Sequence, residues 1–267
     1  MEAATDPTVT RTPAVRLRGL CKTFGEKVAV DRLDLEVQEG EFFGFLGPNG
    51  AGKSTTIKMM CGLLEPDAGD ASVLGVDVAK EPLVVRRSIG VLPEEIATYE
   101  RLTPLELLAF VGRLHGLAAD AVANRSNQLL DLMELAEADR RKMVLDFSMG
   151  MRKKVALACA LVHGPRVLFL DEPFNGIDAV TVRAIRDVLQ DAVARGVTIF
   201  FSSHILELVE RLCTRIAIIT HGKLRVCGTL DGIRAQMQRA PETSLEDMFV
   251  DLAGGVRAES RGLEFLG

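Results

Sequence analysis

Three features of the sequence predict an α/β fold. A glycine-rich loop stands between an apolar run and a helix-like run, the strand–loop–helix order of a phosphate-binding βα unit. Downstream, short continuous apolar runs are each followed by a helical stretch, which suits strands buried on both faces. Two alternating segments precede the loop and predict an antiparallel β subdomain. From about residue 96 to 164 only helical patterns occur, so an α-helical subdomain is expected as an insertion in the core.

The loop is Gly47-Pro48-Asn49-Gly50-Ala51-Gly52-Lys53-Ser54-Thr55, which fits the P-loop pattern G-x-x-x-x-G-K-[S/T]. It follows Glu41-Phe42-Phe43-Gly44-Phe45-Leu46 and precedes Thr56-Ile57-Lys58-Met59-Met60-Cys61. Its glycines allow a tight turn with several N–H groups aimed inward at a phosphate. The helix that begins near Gly52 adds its positive end. Lys53 supplies a point charge for the β- and γ-phosphates, and Ser54 a hydroxyl for Mg²⁺. A nucleoside triphosphate with Mg²⁺ is the expected ligand.

In chain order, residues 14–20 alternate as a half-buried strand, 22–25 read as a turn, and 28–37 alternate again. After the loop and its helix, Leu74-Gly75 with Val76-Asp77-Val78, and then residues 88–92, read as short strands. Thr103-Pro104-Leu105-Glu106 is a capping box with proline at the first helical position, so a helix is expected to start there. Further helices are expected over 119–135 and 151–162, then a buried strand over 167–170. A helix over 178–195 ends at Gly196, a strand follows over 197–201, and a short helix spans 205–213. Residues 216–219 and 224–226 flank His221-Gly222 as a hairpin, and Ser244 caps an amphipathic C-terminal helix.

Composition narrows the function classes. At 267 residues with 48% apolar, the chain can build a sizeable core. A net charge of −5 argues against a nucleic-acid groove as the main surface. The basic run Arg152-Lys153-Lys154 reads as a solvated helix face, with phosphate contact as the alternative. Cys21, Cys61, Cys159, Cys213 and Cys227 are odd in number and widely spaced, so reduced thiols in a cytosolic setting are expected. Residues 1–13 are polar and threonine-rich, without the apolar core of a signal peptide, and are expected to be a disordered tail. No apolar stretch approaches membrane-span length, so a soluble protein is expected, with any membrane role carried by a partner.

Two acids, Asp171 and Glu172, end the run Val167-Leu168-Phe169-Leu170. Neighbouring strand residues point to opposite faces, so one carboxylate suits Mg²⁺ and the other an attacking water. Ser148 and Gly150 open a helix whose free N–H groups suit an anion or a plain cap. His204 follows a buried strand and is placed to reach a γ-phosphate or to act as a satisfied polar residue. His115, His163 and His221 show no partner pattern and read as structural. Phe24 is a core residue by the general rule, or an exposed ring that stacks on adenine.

Taken in order, these segments resemble the nucleotide-binding domain of an ABC transporter over roughly residues 14–230. Gly47 to Thr55 is similar to Walker A, and Leu170-Asp171-Glu172-Pro173 to Walker B with its glutamate. Phe147-Ser148-Met149-Gly150-Met151 is similar to the signature segment, usually L-S-G-G-Q. Asn175-Gly176-Ile177-Asp178 resembles the D-loop, Ser203-His204 the switch histidine, and Glu94 sits where the Q-loop glutamine is usual. Residues 244–249 look like the ending of bacterial exporter ATPases encoded apart from their permease.

The resemblance implies the ABC ATPase fold, a P-loop NTPase core with an antiparallel β subdomain and an inserted α-helical subdomain. Residues 231–267 would then be a C-terminal helical extension. It implies a head-to-tail homodimer, or a heterodimer with a related subunit, around two MgATP. Phe24 would stack on adenine, while Gly47, Asn49, Gly50, Gly52, Lys53, Ser54 and Thr55 hold the phosphates. Ser54, Glu94 and Asp171 would serve Mg²⁺, Glu172 would polarise the attacking water, and His204 would steady the γ-phosphate. Ser148 and Gly150 would complete the site of the opposite copy, and Asp178 would be a further nucleotide-binding residue. The implied partner is an integral membrane permease, energised from the cytoplasmic face and exporting a drug, lipid, ion or other small substrate. No nucleic acid is expected. The alternatives are a soluble ATPase of this type acting on nucleic acid or ribosomes, and a regulatory module that holds ATP without turnover. Met149, Met151 and Glu94 depart from the family pattern, and the two methionines are expected near the partner's nucleotide.

Overall fold

The computed structural model describes residues 12–96 and 99–253. The expected tail over 1–13, all but its last two residues, and the chain beyond 253 lie outside the described residues. The chain begins with β1 (Val15–Phe24), β2 (Lys27–Val37), β3 (Phe42–Leu46), α1 (Lys53–Met60), β4 (Ala68–Val73) and β5 (Val76–Asp77). Next come α2 (Pro82–Ser88), β6 (Ile89–Leu92), α3 (Pro104–Leu114), α4 (Ala119–Leu132) and α5 (Met149–Leu161). The last elements are β7 (Val167–Asp171), α6 (Ala179–Ala194), β8 (Thr198–Ser203), α7 (Leu206–Leu212), β9 (Arg215–Thr220), β10 (Lys223–Gly228), α8 (Leu230–Gln236) and α9 (Leu245–Leu252).

Two sheets form. One is antiparallel, in the order β2-β1-β4-β5; the other runs β10-β9-β3-β8-β7-β6, parallel except for the β10 edge. The inner strands are apolar on both faces because both faces are covered. Phe43, Phe45, Phe169 and Phe200 pack in one core with Ile57, Met59 and Met60 of α1. Their neighbours Phe42, Leu46, Leu168, Leu170, Ile199 and Phe201 pack in a second core with Ile185 and Leu189 of α6. The alternation has the period of two that a pleated strand imposes.

The helices between residues 104 and 161 have a core of their own, made by Leu107, Leu108, Leu130, Phe147 and Val155. The start of α3 is the capping box read from sequence. Thr103 Oγ1 accepts from Glu106 N at 3.3 Å, and Thr103 N donates to Glu106 Oε2 at 2.9 Å. At the other end of the chain, Leu245 and Met248 of α9 are buried against the second core, and Leu245 N donates to Glu210 Oε1 at 2.8 Å. The five cysteines are all free thiols. Burial pushes Cys159 up to about 12 and Cys213 well above its ordinary value, so neither is a ready thiolate.

The structure corrects the sequence reading at several points. Leu74-Gly75 is not strand. Both residues have positive φ, 52° and 80°, and form the hairpin turn that joins β4 to β5. The strand lies earlier, over the polar stretch Ala68–Val73, which pairs with β1 and therefore needs few apolar residues of its own. α2 is not among the expected helices, while α8 lies in the helical extension expected over 231–267. His221-Gly222, at φ 51° and 75°, is the turn of the β9–β10 hairpin.

His115 and His163 are partners after all. Their rings stack at 3.7 Å between centroids, 15° from parallel. His163 Nε2 lies 2.9 Å from Ile89 O, while its Nδ1 is buried without a hydrogen-bond partner. Burial first, then the neighbouring His115, pushes His163 down to about 4. The unfolded chain would protonate this histidine near pH ~6.5, so between there and about 4 it binds the extra proton and the fold does not. Stability is therefore expected to fall as pH drops from about 6.5 to about 4. Melting curves of the parent and of His163→Gln across this range should converge as pH falls. Parallel curves would mean that His163 is protonated in the fold.

Candidate active site

The P-loop, Asp171-Glu172, His204 and Glu94 all follow the C-terminal ends of parallel strands that lie side by side. Those ends are level, since Leu46 pairs with Ser203, Asp171 with Ser202, and Leu92 with Leu170. Open α/β sheets place ligands at this edge.

The loop's glycines are fixed by close approach. A Cβ on Gly52 would lie 2.3 Å from Ala29 O, and φ there is +107°. A Cβ on Gly47 would lie 2.5 Å from Ile219 O. Lys53 opens α1 and is 7% exposed. Its Nζ donates to Gly47 O at 2.7 Å and Pro48 O at 3.4 Å, and lies 3.4 Å from Glu172 Oε1. The other carboxylate oxygen of Glu172 is 2.9 Å from His204 Nδ1. A buried acid is thus held between a lysine and a histidine, beside the glycine-rich loop.

Asp171 and Glu172 are separated by their backbone as well as by the pleat. Ser202 Oγ donates to Asp171 Oδ1 at 2.6 Å and accepts from Glu172 N at 3.0 Å. Glu172 leaves the strand at φ 48°, a conformation that costs a non-glycine residue ~1 kcal/mol or more. Asp171 is 5% exposed and, among the described residues, has no lysine or arginine ion pair. A buried carboxylate without a cation suits a hard metal ion. Among the described residues no three His, Cys, Asp or Glu side chains converge as a metal cage. That donor set fits Mg²⁺, which takes one or two protein oxygens and completes its shell with phosphates and water.

A cavity of about 310 Å³ stands over the loop. It is lined by Asn49, Gly50, Gly52, Lys53, Ser54 and Thr55 of the loop together with Phe24, Glu94 and Glu172. Phe24 is half exposed at its mouth, with Lys22 Nζ 5.8 Å from the ring centroid. Lys27 also lines the cavity, and sequence reading missed it. The available signal was a second basic residue in the turn that carries Phe24.

Ser148, Gly150 and Asp178 are not brought to this cavity. Ser148 caps α5 through Met151 N, and Asp178 caps α6 through Val180 N and Thr181 N while also accepting from Thr181 Oγ1. The two caps meet: a Cβ on Gly150 would lie 2.8 Å from Thr181 Oγ1. Of the two departing methionines, Met149 is 52% exposed beside the cap. Met151 instead packs against the helical core, so only one of the two presents itself on the signature face.

The basic run on α5 is not a solvated face. Lys153 is 3% exposed and Lys154 8%. Lys153 Nζ donates to Glu172 O at 2.8 Å and to Asn175 O at 2.7 Å. Burial pushes this ammonium below its ordinary value, against the pull of the Glu172 and Glu94 carboxylates.

Comparison with known proteins agrees with this geometry. Residues 30–175 match the family described as ABC transporter. The chain is 37% identical over 253 residues to the protein named probable multidrug ABC transporter ATP-binding protein YbhF of Escherichia coli (strain K12). That match covers 92% of this chain, which spans only 43% of the length of YbhF. It is 39% identical over 226 residues to the daunorubicin/doxorubicin resistance ATP-binding protein DrrA of Streptomyces peucetius, covering 85% of this chain and 68% of DrrA. Among solved structures, an ATP-binding subunit of an ABC transporter superposes with a TM-score of 0.84 at 33% identity, over 90% of this chain and 99% of that one. The dimeric structure of MJ0796, a bacterial ABC transporter cassette, superposes with a TM-score of 0.76 at 25% identity, over 81% and 98%. With its loop, paired acids and strand-end histidine gathered at one sheet edge, this chain belongs to the ABC transporter family of ATP-binding proteins.

Proposed function

We propose that this protein is the ATP-hydrolysing subunit of a membrane exporter, working as a dimer around two MgATP. The observation that carries this reading is the contact of Glu172 with both Lys53 and His204 at the mouth of the phosphate loop. Phosphoryl transfer needs positioning and charge stabilisation more than covalent help. Lys53 and the loop amides hold the phosphates. Phe24 stacks on the adenine. Glu172, with a free path to the cavity, orients and polarises the attacking water, and His204 holds both the carboxylate and the γ-phosphate side of the site. Ser54 and Asp171, with Glu94 nearby, would hold Mg²⁺, whose charge neutralises the phosphate oxygens as the bond breaks. Ser148 and Gly150, turned away from this cavity, complete the site of the opposite copy, with Asp178 beside them.

The permease reading has its own support. An apolar groove of about 340 Å³, lined by Leu63, Val91 and Val111, runs between the P-loop core and the helical region. Leu63 is 61% exposed there, an unfavourable arrangement unless a partner covers it. No helix among the described residues is long and apolar enough to cross a membrane. On the proposed reading the membrane-spanning part belongs to a partner, and the protein works peripherally at the cytoplasmic face. The resistance names of the relatives favour a drug-like cargo.

The test is ATP-dependent dimerisation of Glu172→Gln by light scattering. A monomer-to-dimer shift with MgATP supports the composite site, and a permease recovered from membranes with the tagged protein supports the transport reading. A variant that binds MgATP yet stays monomeric would remove the composite site. Nucleic acid that stimulates turnover would point to the soluble alternative.

A further inference from the structure

The backbone at Glu172 sits in the left-handed region, where only glycine is at ease, so something must hold it there. Ser202 holds its N–H, as already described. Its carbonyl is held by a residue from another part of the chain. Lys153, on α5, reaches Glu172 O at 2.8 Å and Asn175 O at 2.7 Å. Asn175 N also donates to Glu172 O at 3.2 Å, so the ammonium spans both ends of one turn.

A lysine is rarely buried unless its donors are met. Lys153 is 3% exposed and, among the described residues, forms no ion pair with a carboxylate. A methionine or leucine would fill the same space without that desolvation. Its direct contacts are the two carbonyl oxygens, and these are where its hydrogen bonds act.

We propose that Lys153 is a positioning residue for ATP hydrolysis: its two hydrogen bonds clamp the turn from Glu172 to Asn175 and aim the Glu172 carboxylate at the attacking water. The proposal rests on the reading of Glu172 as the group that polarises that water. Lys153 lies on the helix capped by Ser148, the cap assigned to the opposite copy's nucleotide. The clamp thus ties the signature segment of one site to the carboxylate of the other through a single side chain. When α5 shifts as the partner's nucleotide docks, Glu172 moves with it.

The experiment uses the full chain with Lys153→Met, Lys153→Arg, Lys153→Gln and Glu172→Gln. It records basal MgATP turnover, the affinity for a non-hydrolysable ATP analogue, and the melting temperature. Lys153→Met is expected to lower kcat by about tenfold or more, a loss of ~1.4 kcal/mol in the barrier, with analogue affinity within about twofold of the parent. Lys153→Arg, which keeps charge and donors, is expected to recover at least about half of the parental kcat. Parental kcat in Lys153→Met, a parallel loss of kcat and affinity, or an arginine variant as slow as the methionine one would each overturn the proposal. If Lys153→Met does not fold, Lys153→Gln carries the test. A several-fold fall in kcat at unchanged affinity supports the clamp, and parental kcat or a joint fall overturns it. Glu172→Gln separates the two levels. An inactive Glu172→Gln beside a fully active Lys153→Met sinks the clamp alone, whereas a fully active Glu172→Gln sinks the reading of Glu172 and the clamp with it.

Discussion

Glu172→Gln is expected to bind MgATP as well as the parent and to hydrolyse it roughly a hundredfold more slowly or worse. The argument separates ground state from transition state. On the proposed reading the phosphates are held by the loop amides and Lys53, all of which the substitution leaves in place. Glutamine has the same shape, so the turn at Glu172, held by Ser202 Oγ and Lys153 Nζ through backbone atoms, stays as it is. The amide can also keep contact with His204 Nδ1, which lies 2.9 Å from the carboxylate. What disappears is a negative charge 3.4 Å from Lys53, and with it the acceptor that draws a proton from the water as the phosphorus is attacked. Removing a group that acts chiefly in the transition state costs ~3 kcal/mol, roughly a hundredfold in rate. Steady-state turnover and an equilibrium titration with ATP on the same preparation check both halves. Hydrolysis at the parental rate would exclude Glu172 as the base. A loss of binding equal to the loss of rate would mean that the carboxylate holds the fold of the site instead.

The division between what the sequence revealed and what it hid follows the range of the interactions. The loop from Gly47 to Thr55, the capping box at Thr103 and the caps at Ser148 and Ser244 are local: each depends on residues within a few positions. The buried strands Phe42–Leu46 and Val167–Asp171 are also local signals, because burial on both faces leaves a continuous apolar run. The convergence of Glu172 on Lys53 and His204 was legible only through the family pattern, since it depends on strands β3, β7 and β8 lying level.

Four features were hidden for reasons that can be named. β4 is polar because its first three residues are exposed, and backbone pairing with β1 rather than an apolar run holds it in the sheet. Leu74-Gly75 reads as strand by composition, and only the reversal of the chain shows it to be a turn. Lys27 enters the cavity from the far side of a hairpin. Lys153 sits in a run of three basic residues, and on an isolated helix such a run faces solvent. It is buried here because α5 docks on the turn after β7, and no local pattern records that docking.

Lys53→Ala is expected to weaken ATP binding by roughly a hundredfold and to leave binding of adenosine nearly unchanged. The ammonium is 7% exposed and lies among Gly47 O, Pro48 O and the Glu172 carboxylate. Truncating one member of a buried, hydrogen-bonded charge pair costs ~2–5 kcal/mol, and ~3 kcal/mol corresponds to roughly a hundredfold in Kd. Two effects add in the same direction. The phosphates lose their one cation from the loop, and the buried Glu172 carboxylate, freed of its lysine, repels them. Phe24, the proposed adenine contact, also lines the cavity and is untouched. The contrast between ATP and adenosine therefore isolates the charge from any general damage to the cavity. Equal weakening of both ligands would mean that the loop had collapsed. ATP binding within about twofold of the parent would mean that the loop amides hold the phosphates without Lys53, and that the lysine serves chiefly to neutralise Glu172.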